Sequence, residues 1–129
     1  MSHQVTLKTQ IKDKEVLESV LKELGYNFSY NGKIIDYYGK NAGNVDIMIS
    51  FVKKTNSVGF RFNTEENAYE LVGDFWGCGI DKDTFRNSVK KLYIEKKLRV
   101  LLTKKRYTVV DKNVEKNGSV KMLARGMVA

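Results

Sequence analysis

Between Val45 and Phe75 the chain repeats a two-residue alternation three times. Val45, Ile47, Ile49 and Phe51 alternate with Asp46, Met48 and Ser50; Val58, Phe60 and Phe62 alternate with Gly59, Arg61 and Asn63; Tyr69, Leu71, Gly73 and Phe75 follow. Successive side chains of a strand point to opposite faces, so each run describes a strand with one buried face. The links KKTNS and TEEN are short and polar, which favours an antiparallel meander over crossovers.

The elements on either side complete the pattern. Val5, Leu7, Thr9 and Ile11 alternate with polar residues as a first strand. Asp13 then offers a cap to a helix whose Val16, Leu17, Val20, Leu21 and Leu24 recur at helical spacing, and Gly25 supplies its stop. Strand character returns from Phe28 to Tyr30, a turn is expected at Asn31-Gly32, and Ile34 to Tyr38 leads to a loop at GKNAGN. Asp81 to Thr84 starts a second helix reaching about Lys105. Its Phe85, Val89, Leu92, Tyr93 and Val100 share one arc with Lys96 in the middle, so either Lys96 reaches outward along its stem or the helix kinks between Glu95 and Leu98. The last segment, about 107–125, reads as a hairpin. A three-residue loop, Lys116 to Gly118, pairs Val114 with Val120, Lys112 with Met122 and Val110 with Ala124, and gathers five apolar residues on one face. The order is βαββββαββ, an α+β fold with helices on a mainly antiparallel sheet, in a single domain over residues 1–129.

The formal charge of +8 is concentrated in one place. Residues 86–106 contain nine basic residues and one acidic residue; the remainder has 14 of each, from totals of 23 and 15. Arg86, Lys90, Lys97 and Lys104 fall in a narrow stripe of the helical wheel, a row of cations suited to an acidic protein partner or to successive phosphates of a nucleic acid. The stripe has no interleaved aromatic platform, and no recognised nucleic-acid motif accompanies it. No apolar run approaches the roughly 18 residues that span a bilayer, and the polar beginning MSHQVTLKTQ is unlike a secretory signal; no membrane association is expected.

Rare residues gather in YELVGDFWG and just after it: Asp74, the single Trp76, two glycines and the single Cys78. A nucleophilic cysteine requires a base or a field that lowers its pKa, and the only histidine is His3. One cysteine and one histidine do not make a Cys/His metal site, and the glycines form no phosphate-binding loop. Neither a metal nor a cofactor is expected. The simpler reading is a strand end, with Trp76 covering the sheet and Gly77 and Gly79 releasing the chain into the helix.

The stretches MSH, TLKTQIKD, LKELGY, VGFRFN and YELVGDFWG, in this order and spacing, resemble the family of the hypothetical chloroplast reading frame thirty-five. The resemblance implies a small soluble domain of the bacterial cytoplasm or plastid stroma, and it supplies no reaction. The family pattern includes the Ser-His beginning and the Asp-x-Trp-Gly strand end, here His3, Asp74 and Trp76, which suggests a ligand pocket if the first strand lies beside the Tyr69 strand. The resulting expectation is a non-enzymatic binding domain that engages an acidic protein through its basic helix. Nucleic-acid binding by the same surface and a small enzyme or ligand site at His3, Asp74 and Trp76 are the alternatives.

Overall fold

The computed structural model of the protein describes residues 4–35, 39–104, 107–114 and 120–126. The element order is β1 (Gln4–Ile11), α1 (Lys14–Glu23), β2 (Asn27–Ile35), β3 (Asn41–Ser50), β4 (Val58–Asn63), β5 (Ala68–Asp74), α2 (Lys82–Lys104), β6 (Tyr107–Val114) and β7 (Val120–Gly126). Five strands form one antiparallel sheet in the order β1-β5-β4-β3-β2, while β6 and β7 pair with each other. The architecture is α+β, in the expected order. Because β1 and β2 are the two edges, α1 must carry the chain from one side of the sheet to the other. It begins at Asp13, whose carboxylate accepts the Val16 N–H at 3.2 Å. It ends where Gly25, at φ 84°, lets the Tyr26 and Gly25 N–H groups return to the Leu21 and Lys22 carbonyls.

Both helices bury their apolar stripes on one face of the sheet. Leu17, Val20 and Leu21 of α1 and Phe85, Val89 and Tyr93 of α2 pack against Ile11, Ile47, Ile49, Val58, Phe60 and Leu71. Phe85 is the centre of an aromatic cluster, with its ring 5.0 Å from Tyr26, 5.4 Å from Phe51 and 5.7 Å from Phe75. Burial of such a side chain contributes about 1.5–3 kcal/mol, so this cluster carries a large part of the net stability.

The opposite face is covered by the protein's own hairpin, and here the structure departs from the sequence expectation. Asn31-Gly32 is not a turn: β2 runs through it, with Asn31 in the left-handed region at φ 55°. The expected GKNAGN loop is largely strand, because β3 begins at Asn41. Ile47 is the last β3 residue paired with β4, opposite Phe60; beyond it β3 leaves its neighbour while staying paired to β2. Continued pairing would set Val45 against Phe62. Instead the Asp46 carboxylate accepts the Phe62 N–H at 2.7 Å, replacing the acceptor that the departing backbone withdraws. The hairpin's distal half folds back across the sheet, so that the Ile35 N–H reaches the Asn56 carbonyl at 2.6 Å. Ile34, Val45, Met48 and Val72 form a second small core under this flap. Gly59 permits the close approach: a Cβ there would stand 2.5 Å from the Ile47 carbonyl oxygen and 2.7 Å from a Val45 methyl carbon.

Helix α2 is unbroken for 23 residues, which resolves the expected choice between a kink and an outward Lys96. Lys96 leaves the core side and pairs with Glu23 of α1 at 3.4 Å. Val100 is not on the buried arc as expected; it is 49% exposed. The physical reason is length: at 1.5 Å per residue the 23-residue helix extends about 34 Å, whereas the central strands β4 and β5, of 6 and 7 residues, extend about 20–23 Å. In the C-terminal hairpin Val114 pairs with Val120 and Lys112 with Met122 as expected, but Ala124 faces Val109 rather than Val110 because the register shifts between Val109 and Asp111. The expected hairpin loop, Lys116 to Gly118, lies outside the described residues.

Candidate functional site

The end of β5 is built from three chain segments. Strand β1 lies beside β5 with Gln4 opposite Asp74, which is the arrangement the pocket reading required; His3 lies outside the described residues. Asp74 is 2% exposed. Its backbone N–H donates to the Ser57 carbonyl at 2.8 Å, and its Oδ1 accepts the Trp76 N–H at 2.8 Å. The Lys54 ammonium lies 3.7 Å from Asp74 Oδ2, donates to the Trp76 carbonyl at 2.8 Å and sits 6.0 Å from the Trp76 ring centre. Lys54 thereby ties the β3–β4 connection to the β5–α2 connection. Among the described residues, Asp74 Oδ2 accepts no hydrogen bond.

Trp76 does not cover the sheet. The strand has ended at Asp74, and the indole is 58% exposed beside a shallow groove of about 430 Å³ floored by Val5, Phe75 and Ile80. Asp74 is not part of that groove's lining, so the carboxylate and the indole are adjacent in backbone but separated in exposure. Gly77 and Gly79, at φ 80° and 84°, turn the chain toward α2, where Asp81 accepts the Thr84 and Asp83 N–H groups at 3.1 Å. Cys78 is buried, its thiol 3.6 Å from Ser57 Oγ and 3.5 Å from the Asp74 carbonyl. Burial pushes this thiol up from its ordinary pKa, the opposite of what an activated nucleophile needs.

The cationic row of α2 is not a uniform open stripe. Arg86 pairs with Asp83 at 3.2 Å, and Lys97 lies 3.5 Å from Asp13 at the start of α1. Lys90 faces a cleft against β1 and β5, and Lys104 borders the last, overhanging turns. There Ile94, Val100 and Leu101 are exposed and line a groove of about 430 Å³ with Lys97 and Lys104. The sequence signal for this apolar surface was available in Ile94 and Leu101, which fall off the core arc, but only the helix's length relative to the sheet shows that Val100 joins them.

The cleft at Lys90 has its origin in β1. Lys8 pairs with Glu70 and Ile11 with Tyr69, so Thr9 and Gln10 are two extra residues in the strand. An insertion of two preserves the alternation, which is why the sequence reads as a regular strand. Thr9 stabilises the bulge by donating to the Tyr69 carbonyl at 2.5 Å and accepting the Ile11 N–H at 3.1 Å. Gln10 is held at φ 62°.

A five-stranded antiparallel sheet with two helices on one face and a folded-back hairpin on the other defines a small α+β protein. The chain belongs to the family described as protein of unknown function DUF1257, whose model matches residues 20–123. It is similar to the uncharacterized protein ycf35 of Pyropia yezoensis, with 26% identity over 127 residues covering 97% of each chain. The protein of that description from Cyanophora paradoxa is also 26% identical, over 128 residues and 97% of each chain. That from Guillardia theta is 26% identical over 124 residues, covering 95% of this chain and 94% of its own. The similarity therefore continues through α2 and into the C-terminal hairpin, beyond the stretches that first suggested it. No solved structure matches the chain significantly.

Proposed function

We propose that this protein is a non-enzymatic binding module that engages an acidic protein segment through the basic helix α2. The observation that carries the reading is the juxtaposition, on the helix's overhanging turns, of exposed Ile94, Val100 and Leu101 with Lys97 and Lys104. Exposed apolar side chains at helical spacing form a stripe on which amphipathic partners dock. The flanking ammonium groups select a partner whose apolar residues are accompanied by carboxylates. Nucleic acid is the weaker fit, because the exposed side chains of this groove are aliphatic and its one ring, Tyr93, is buried and so offers no open platform for base stacking.

Fluorescence anisotropy tests this with three labelled probes: an amphipathic glutamate-leucine helical peptide, the same peptide with serine for leucine, and a short single-stranded RNA. The leucine peptide is expected to bind best, and Leu101→Glu or the pair Lys97→Glu and Lys104→Glu to weaken it at least about tenfold. Equal binding of the serine peptide, absence of peptide binding, or tighter RNA binding with a steep salt dependence overturns the reading.

A further inference from the structure

The β1 bulge requires an explanation beyond packing. Without it Thr9 would pair with Tyr69 and every side chain of β1 would keep the same face, yet the strand inserts two residues and holds Gln10 in a conformation that non-glycine residues avoid. Bulges and left-handed non-glycine residues concentrate where a fold opens a site. Here they border a half-open cleft of about 570 Å³, within the range of small-molecule sites, whose rim includes Lys8, Gln10, Lys12, Glu66, Glu70 and Lys90.

The charges of the rim do not cancel. Glu66 is paired with Lys8 at 3.1 Å. Glu70 is paired with Arg61 at 3.1 Å and accepts from the Asn63 amide at 2.7 Å, so its charge already has a partner outside the cleft lining. Lys12, from the β1–α1 junction, and Lys90, from α2, have no carboxylate partner among the described residues. Two lysines from different elements, with no carboxylate partner among the described residues, therefore line one concavity together with Gln10. We infer that this cleft is a binding site for a small dianion, a phosphoryl or dicarboxylate group, held between Lys12 and Lys90. The bulge serves it by drawing β1 out of its ladder at the point where the anion enters.

The test is an amide chemical-shift titration of the full chain with sodium phosphate and, separately, with sodium succinate, at ionic strength held constant with sodium chloride. Saturable shifts confined to residues around 8–12, 68–70 and 90 are expected with one of the two anions, and the anion that saturates identifies the source chemistry. The pair Lys12→Gln and Lys90→Gln is expected to weaken this binding at least tenfold by the loss of both charge-assisted hydrogen bonds. The pair Lys22→Gln and Lys33→Gln, of equal charge change and on other elements, leaves it intact, and thermal melting confirms that both variants fold. Shifts that never saturate with either anion, that spread over all lysines, or that survive the Lys12 and Lys90 changes overturn the inference. Binding of the glutamate-leucine peptide at Lys97 and Lys104 is unaffected by the Lys12 and Lys90 changes, so the two readings fail separately.

Discussion

Asp46 occupies the point where β3 separates from β4, and its carboxylate answers an N–H that the ladder no longer satisfies. Asp46→Ala leaves the half-buried Phe62 N–H without that acceptor and is expected to lower stability by about 1–3 kcal/mol, measured by urea unfolding; Asp46→Asn, which retains an acceptor oxygen, costs less. Gly59→Ala drives a methyl group against the Ile47 carbonyl and the Val45 side chain, with an expected loss of about 1–3 kcal/mol. Gln10→Gly acts in the other direction: it releases the left-handed strain and raises stability by up to about 1 kcal/mol, since Gln10 is exposed and stands opposite no residue of β5. A Gln10→Gly variant less stable than the parent would show that the bulge is held by the glutamine itself. None of these three roles was legible in the sequence. Asp46 and Gly59 alternate like ordinary outward residues of a strand, and the two-residue insertion at Gln10 leaves no trace in the period of β1. Each role depends on which distant segment crosses at that point.

Among the elements, α2 joins two regimes in one helix. Its first half is core, and Phe85→Ala removes the centre of the ring cluster, with an expected cost of about 3–5 kcal/mol. On its last turns the side chain of Leu101 is exposed, and Leu101→Glu is expected to change stability by no more than about 0.5 kcal/mol while weakening peptide binding at least about tenfold. Thermal melts of the two variants separate the regimes; a large loss of stability in Leu101→Glu would mean that the overhang is packed rather than presented. The helix, its start at Asp81 and its core arc through Phe85, Val89 and Tyr93 were all legible, because period and capping are local properties. Where that arc stops being buried was not, because it depends on the length of strands elsewhere in the chain. The same limit explains Lys97, whose partner Asp13 stands at the start of α1, whereas the pairing of Arg86 with Asp83 is an i,i+3 contact within α2 itself.

At the scale of the whole molecule, the groups whose titration is perturbed by folding define a stability plateau with two edges. On the acid side, the Asn63 amide and the Arg61 guanidinium hold Glu70 below its ordinary range, and the Thr84 and Asp83 N–H groups do the same for Asp81. A depressed native pKa contributes stability that is present above the ordinary carboxylate value of about 4 and is lost as pH falls through the native one. Protonation also leaves 23 basic residues with fewer of their 15 opposing carboxylates, so added salt moves the acid edge to lower pH by screening their repulsion. On the alkaline side, burial raises Cys78, and burial likewise raises Tyr26 and Tyr69. A raised native pKa contributes stability that is complete below the ordinary value, about 8.5 for a thiol, and is lost as pH rises through the native one. The unfolded thiol ionises first, and only the unfolded state gains from it. Cys78→Ser places a group that does not titrate in this range at the same position, beside Ser57. It is expected to make unfolding free energy nearly level between about pH 8 and 9.5, where the parent declines, with the tyrosines governing both proteins above that. Urea midpoints across this interval decide the matter. If the variant declines as steeply as the parent, Cys78 is not the group that sets the alkaline edge. In the parent, alkylation of Cys78 by iodoacetamide at pH 8 should then track the opening of the fold, slow in buffer and accelerating as urea populates the unfolded chain.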